Sequence, residues 1–196
     1  MESFVSYLEL GFFHILNLEA YDHLVFILAL CAPYSMKEWK KLLVLITAFT
    51  LGHCTTLVLA TFQLVVFSTP IIEFLIPLTI FITALTNLGQ NNQPLSSLFR
   101  LRWKSYLLTL FFGLIHGLGF SNFLRSLLGK EADIFTALLA FNIGIEIGQI
   151  VIIVLLFALL LGINLFFPII QRDQNLFISG AAAGIALVLI LQTKFW

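Results

Sequence analysis

The amino-acid sequence predicts an all-α, polytopic transmembrane helix bundle: about six spanning helices plus an N-terminal interfacial or re-entrant helical segment. Two observations predict it. The chain is 60% hydrophobic and only 10% charged, whereas a water-soluble domain carries about 25% charged residues. Several apolar runs also reach the roughly 20 residues needed to cross a 30 Å hydrocarbon core. A soluble bundle of this composition would expose apolar patches large enough to aggregate. All 196 residues are read as one transmembrane domain, 1–196.

The elements follow from the hydrophobic runs and their breaks. Phe4 to Leu16 reads as a short helix at, or dipping into, the membrane surface. The first span runs from Leu18 to Ala32 and ends near Pro33. One longer tilted helix is the alternative, because no Pro or Gly separates the two pieces. Met1-Glu2-Ser3 lacks the positive start and small-residue cleavage pattern of a signal peptide, so these segments are expected to be retained. The second span is Leu42 to Phe62, and the third is Pro70 to Leu88 with a kink expected at Pro77. A polar loop, Gly89 to Lys104, leads to the fourth span, Ser105 to Leu124, and a charged turn, Arg125 to Asp133. The fifth span, Ile134 to Leu161, is long enough that it must tilt or protrude. Pro168 to Asn175 is a turn, and Leu176 to Thr193 is the last span.

Charge orients the bundle. Lys37, Lys40, Lys41, Arg100, Arg102, Lys104 and Arg172 would share one side, leaving Arg125, Lys130 and Lys194 on the other. The positive-inside rule then puts both termini outside; the expected location is a bacterial cytoplasmic (inner) membrane. Trp39, Trp103 and Trp196 read as interface anchors against membrane lipid. A formal net charge of zero excludes nucleic-acid binding, which needs a basic face. Cys31 and Cys54 read as buried free thiols. Homo-oligomerisation is left open, since lipid-facing and subunit-facing surfaces have similar composition.

All four histidines, His14, His23, His53 and His116, lie in or beside apolar segments, with Asp22 and Glu146 at membrane depth. An ionisable group at the bilayer centre costs at least about 2.5–3.5 kcal/mol on the insertion scale for Asp. Such groups therefore indicate a site or a pathway. At about 1.5 Å per residue, His53 and His116 lie roughly 16 Å from one end of their spans, and Glu146 roughly 18 Å from the other. His23 returns to about the same level. Asn142, Glu146 and Gln149 form one stripe on their helix, and Thr50, His53 and Thr56 another. Gly113 and Gly117 flank His116, and Gly144 and Gly148 flank Glu146, at a spacing that permits close helix approach and would bring these two ligands together. A short echo links Phe49-Thr50-Leu51-Gly52-His53 with the segment Phe112 to Gly117.

Histidine and carboxylate ligands suit a divalent ion such as nickel, cobalt or zinc. The expected metal ligands are His14, Asp22, His23, His53, His116 and Glu146, with Asn142 and Gln149 supporting them. His14 joins only if the segment before Leu18 folds back; on a straight helix it stays about 13 Å above His23.

The segments GFFHILNLEAYDHLVFILAL (Gly11 to Leu30), FTLGHCTTL (Phe49 to Leu57), FGLIHGLGF (Phe112 to Phe120) and FNIGIEIGQ (Phe141 to Gln149) resemble the HupE/UreJ family of small membrane proteins. The resemblance implies a nickel- or cobalt-permease-like secondary transporter of divalent cations, with metal contact by the six residues just named. One alternative is an intramembrane metal-dependent hydrolase of lipid or lipid-linked substrates, in which Asp22 and Glu146 would be catalytic. Another is a structural or accessory membrane protein whose histidines sit in a hydrogen-bond network without metal.

Overall fold

The computed structural model describes residues 2–18, 21–65, 67–89, 95–128 and 133–194. Among them are seven α-helices and no strand: α1 (Glu2–Leu16), α2 (Asp22–Cys31), α3 (Trp39–Thr61), α4 (Thr69–Gly89), α5 (Leu95–Leu128), α6 (Ile134–Asn164) and α7 (Gln171–Gln192). Five of these, α3 to α7, contain stretches long and apolar enough to cross a membrane. The protein is an integral membrane protein whose outer helix faces meet lipid.

Three boundaries differ from the sequence reading. α2 starts at Asp22, not Leu18, and its 10 residues rise only about 15 Å. The expected N-terminal helix, Phe4 to Leu16, is thus present as α1 and the first expected span as the shorter α2, so the alternative of one long tilted helix does not hold. α5 begins at Leu95, inside the expected polar loop; Leu95 to Lys104 contains neither Pro nor Gly, so polarity alone does not stop the helix. α7 begins at Gln171, inside the expected turn. Its first turn is held by α2's far end, where Gln171 Nε2 donates to Pro33 O at 2.7 Å. Gln174 Nε2 also donates to Ala32 O and Tyr34 O. Residues 90–94 of the loop, 129–132 of the charged turn and the Trp196 anchor lie outside the described residues. Trp39 and Trp103 are exposed.

Capping residues set other helix ends. Ser35 and Glu38 form a reciprocal capping box ahead of α3, and Lys41 pairs with Glu38. Asp133 caps α6, accepting from Thr136 N at 3.1 Å and Thr136 Oγ1 at 2.5 Å. These hydrogen bonds hold the Asp133 carboxyl below its usual range.

Two glycine-mediated pairs organise the bundle. A Cβ at Gly52 would strike Leu110 O, one at Gly113 would strike Phe49 O, and one at Gly117 would strike His53 O. α3 and α5 therefore touch backbone to backbone and run parallel, Phe49 beside Gly113 and His53 beside Gly117. The two echo segments are thereby side by side. Gly11, Gly144 and Gly148 do the same for α1 and α6, which also run parallel. The glycines thus do not join His116 to Glu146; each pair of glycines packs against a different helix.

α2 runs alongside α4 from Pro77 to Asn87. Asn87 Nδ2 donates to Ala29 O at 2.7 Å, a carbonyl whose normal helical donor would be residue 33, a proline without N–H. Asn175 Nδ2 donates to Asn87 O at 3.0 Å, and Ser179 Oγ donates to Asn175 Oδ1 at 2.9 Å. Interhelical hydrogen bonds in membranes contribute about 0.6–2 kcal/mol each. Asn87→Leu is expected to lower unfolding stability in detergent by about 1–2 kcal/mol; an unchanged melting profile would reject the assigned role. Gly113→Leu should force α3 and α5 apart and lose most of the folded protein, while Gly180→Leu, with nothing within 4 Å of its added Cβ, should be tolerated. Size-exclusion profiles of the two variants compare them directly.

Candidate metal centre

Four helices deliver one imidazole each to a common volume. His14 ends α1, His23 begins α2, and His53 and His116 lie inside α3 and α5. His23 is central: its ring centroid is 4.8 Å from His14, 5.3 Å from His116 and 6.0 Å from His53. His14 and His53 are 6.2 Å apart. Nine residues of straight helix would separate His14 from His23 by about 13 Å, so the break between α1 and α2 folds the two together. Phe120, 3.9 Å from the His14 ring, stacks on Phe141 and closes this corner.

His53 and His116 are 0% and 1% exposed, and His23 is 5% exposed. Both nitrogens of His53, and Nε2 of His14, His23 and His116, are buried without a hydrogen-bond partner among the described residues. A buried unsatisfied donor or acceptor costs about 1–3 kcal/mol, and native proteins rarely leave such groups unpaired. Several in one volume fit a divalent ion, whose ligands are neutral imidazole nitrogens. The rings as placed meet edge to face or tilted, and among the described residues no three His, Cys, Asp or Glu side chains are preassembled around one point.

Asp22 is the carboxylate of this group. Its Oδ1 lies 3.1 Å from His23 Nδ1, which assigns the proton to Nδ1 and leaves Nε2 with a lone pair facing the other rings. Asp22 is also partly open, lining a cleft of about 390 Å³ with Tyr21, Glu73, Pro77 and Thr193. Pro77 supplies no N–H, so the Glu73 carbonyl beside that cleft lacks its usual helical donor.

Glu146 is placed apart from the imidazoles. Its Oε1 accepts from Thr47 Oγ1 at 2.6 Å, and Gln149 Oε1 accepts from Thr50 Oγ1 at 2.9 Å. Asn142 Nδ2 donates to Leu138 O. The α6 face carrying Gly144 and Gly148 is occupied by α1, which turns the Glu146 stripe toward α3. Asn142 Oδ1 and Gln149 Nε2 are themselves buried without partners. Sequence reasoning missed Phe26, Phe49 and Phe112, which pack directly beneath the imidazoles. The spacings Phe49–His53 and Phe112–His116, one helical turn each, carried that signal.

Helices of unequal length gathered around a buried polar cluster define a small polytopic helical membrane protein. The chain belongs to the HupE/UreJ family: a family model described as HupE / UreJ protein matches residues 1–196, its whole length. That family is associated with nickel or cobalt transport or accessory function. No curated protein and no solved structure matches the chain.

The Asp22–His23 contact makes a spectroscopic prediction. A charge-assisted hydrogen bond contributes about 1.5–3 kcal/mol, so Asp22→Leu should shift the His23 tautomer ratio toward Nε2–H by about tenfold or more. Nitrogen-15 NMR of histidine-labelled protein reads this ratio, and an unchanged His23 spectrum would overturn the orienting role.

Proposed function

We propose that this protein is a secondary permease for divalent cations of the nickel and cobalt kind, with His14, His23, His53 and His116 as the cargo site. The observation carrying this reading is the set of buried, unpartnered imidazole nitrogens gathered from four helices. A purely structural network would be expected to satisfy its own nitrogens. Asp22 orients His23 and offers the nearby negative charge, while Glu146 keeps a separate role on α6. Nickel, cobalt and zinc all accept imidazole, so the ligand set defines a class of ion.

The break between α1 and α2 supports transport. Secondary transporters commonly bind cargo where a membrane helix is interrupted near the bilayer midplane. The parallel course of α1 and α6, followed by the return of α7, supports both termini on one side. Lys37, Lys40, Lys41 and Arg172 gather at the opposite end, which we assign to the cytoplasm of a bacterial inner membrane. The lipid-hydrolase alternative has less support. A wide apolar groove, about 630 Å³ between α2, α6 and α7, borders Val25 and Leu28 rather than the imidazoles, and Glu146 is engaged by Thr47 while Asp22 sits against His23.

Equilibrium dialysis of nickel and zinc against purified protein, with uptake into proteoliposomes, tests this function. His23→Ala and His116→Ala should each weaken binding at least tenfold and stop uptake, with a smaller loss for Glu146→Ala. Metal that binds but never crosses, or binding equal in all variants, would overturn the permease.

A further inference from the structure

The imidazole cluster is one layer in a stack. α2 runs toward the basic end of the bundle, while α3 and α5 run away from it. One turn toward that end from His23, His53 and His116 therefore stand Phe26, Phe49 and Phe112, at spacings of three or four residues on the same helices. Their rings form a continuous layer. Phe26 and Phe49 are 4.8 Å apart and Phe26 and Phe112 6.2 Å, all three at most 3% exposed. Phe26 and Phe49 press on His116 at 5.2 Å and 5.1 Å.

A further turn on, the chemistry becomes polar again. A small cavity of about 40 Å³ has Phe112 in its wall, with Thr83, Thr86, Asn87 and Thr109 around it. This is room for water. The Thr83 and Thr86 hydroxyls donate to carbonyls on their own helix, leaving oxygen lone pairs for a cation or its hydration shell. On the far side of the imidazoles, the cleft at Asp22 and Glu73 is open.

Resting on the permease reading, we propose that Phe26, Phe49 and Phe112 are the closed cytoplasmic gate of the cation path, and that the threonine-lined cavity is its inner vestibule. Cargo entering by the Asp22–Glu73 cleft reaches the imidazoles and stops at a dry aromatic layer, since hydrophobic constrictions block ions by excluding water. Release requires the three rings to part, which joins the imidazole volume to the vestibule. The structure is then the form open to the outside and closed to the cytoplasm.

Cysteine labelling tests this without depending on metal transport. In oriented vesicles, with Cys31 and Cys54 replaced by serine, Thr109→Cys should react with a membrane-impermeant cationic methanethiosulfonate from the basic end only. Adding Phe112→Ala should open it to reagent from the opposite side, raising that rate at least tenfold, while nickel stoichiometry is retained. Thr109→Cys that reacts from neither side, or equally from both before Phe112 is changed, would overturn the gate. So would unchanged far-side access in the Phe112→Ala protein. Absence of nickel binding in the unaltered chain would instead overturn the cargo site on which the gate rests, a separate readout from the labelling pattern.

Discussion

Backbone contact at glycine is the constraint on which the rest of the structure depends. Lipid tails are as apolar as leucine, so burying hydrophobic surface gives membrane helices no particular reason to choose one neighbour over another. Choice comes from close packing. Gly52, Gly113 and Gly117 let α3 and α5 meet without intervening side chains, and Gly11, Gly144 and Gly148 do so for α1 and α6. The first pair fixes His53 beside His116 in register; the second carries His14 down the side of α6 until Phe141 and Phe120 stop it. α2, too short to span alone, places His23 between them. The imidazoles meet because of contacts that none of them makes.

Polar satisfaction divides the bundle into two regions with opposite habits. Near the basic end, Asn87, Asn175 and Ser179 satisfy one another, and Asn87 adds a donor to the Ala29 carbonyl that Pro33 cannot serve. Such a network satisfies its own members. At the imidazole layer the reverse holds: ring nitrogens of all four histidines are buried without a hydrogen-bond partner among the described residues. Stability supplied by one region permits the other to remain unsatisfied.

Much of this was legible in the sequence, for identifiable reasons. Apolar runs report helices in lipid directly, so the fourth span, Ser105 to Leu124, coincides with the apolar stretch of α5. Counting helix rise gives depth, which is why His23, His53, His116 and Glu146 could be placed near one level, with His14 joining only if the N-terminal segment folded back. Depth says nothing of azimuth. Glu146 has the right height but faces Thr47, because α1 occupies the glycine face beside it, and no local pattern announces which partner a glycine stripe will take. The helix end at Leu16 was legible from the polar residues that follow it, but the shortening of α2 and the meeting of His14 with His23 were not. Helix starts at Leu95 and Gln171 were misread because polar residues end a membrane span without ending a helix.

Charge shapes what the imidazole layer can do as a cargo site. Imidazole ligands are neutral, and only Asp22 stands against them as a carboxylate. A divalent ion held there keeps about one uncompensated positive charge in a low-dielectric interior, where an unpaired charge is costly. A second carboxylate in the cluster would neutralise the ion and deepen the well. By turning Glu146 toward Thr47, the packing of α1 on α6 keeps that well shallow. A permease requires this balance, since cargo bound too favourably does not leave; a structural metal site would favour full neutralisation. On the permease reading, the aromatic layer would hold back an ion that the ligands bind without complete charge compensation, so that binding and release would fall to different residues one helical turn apart.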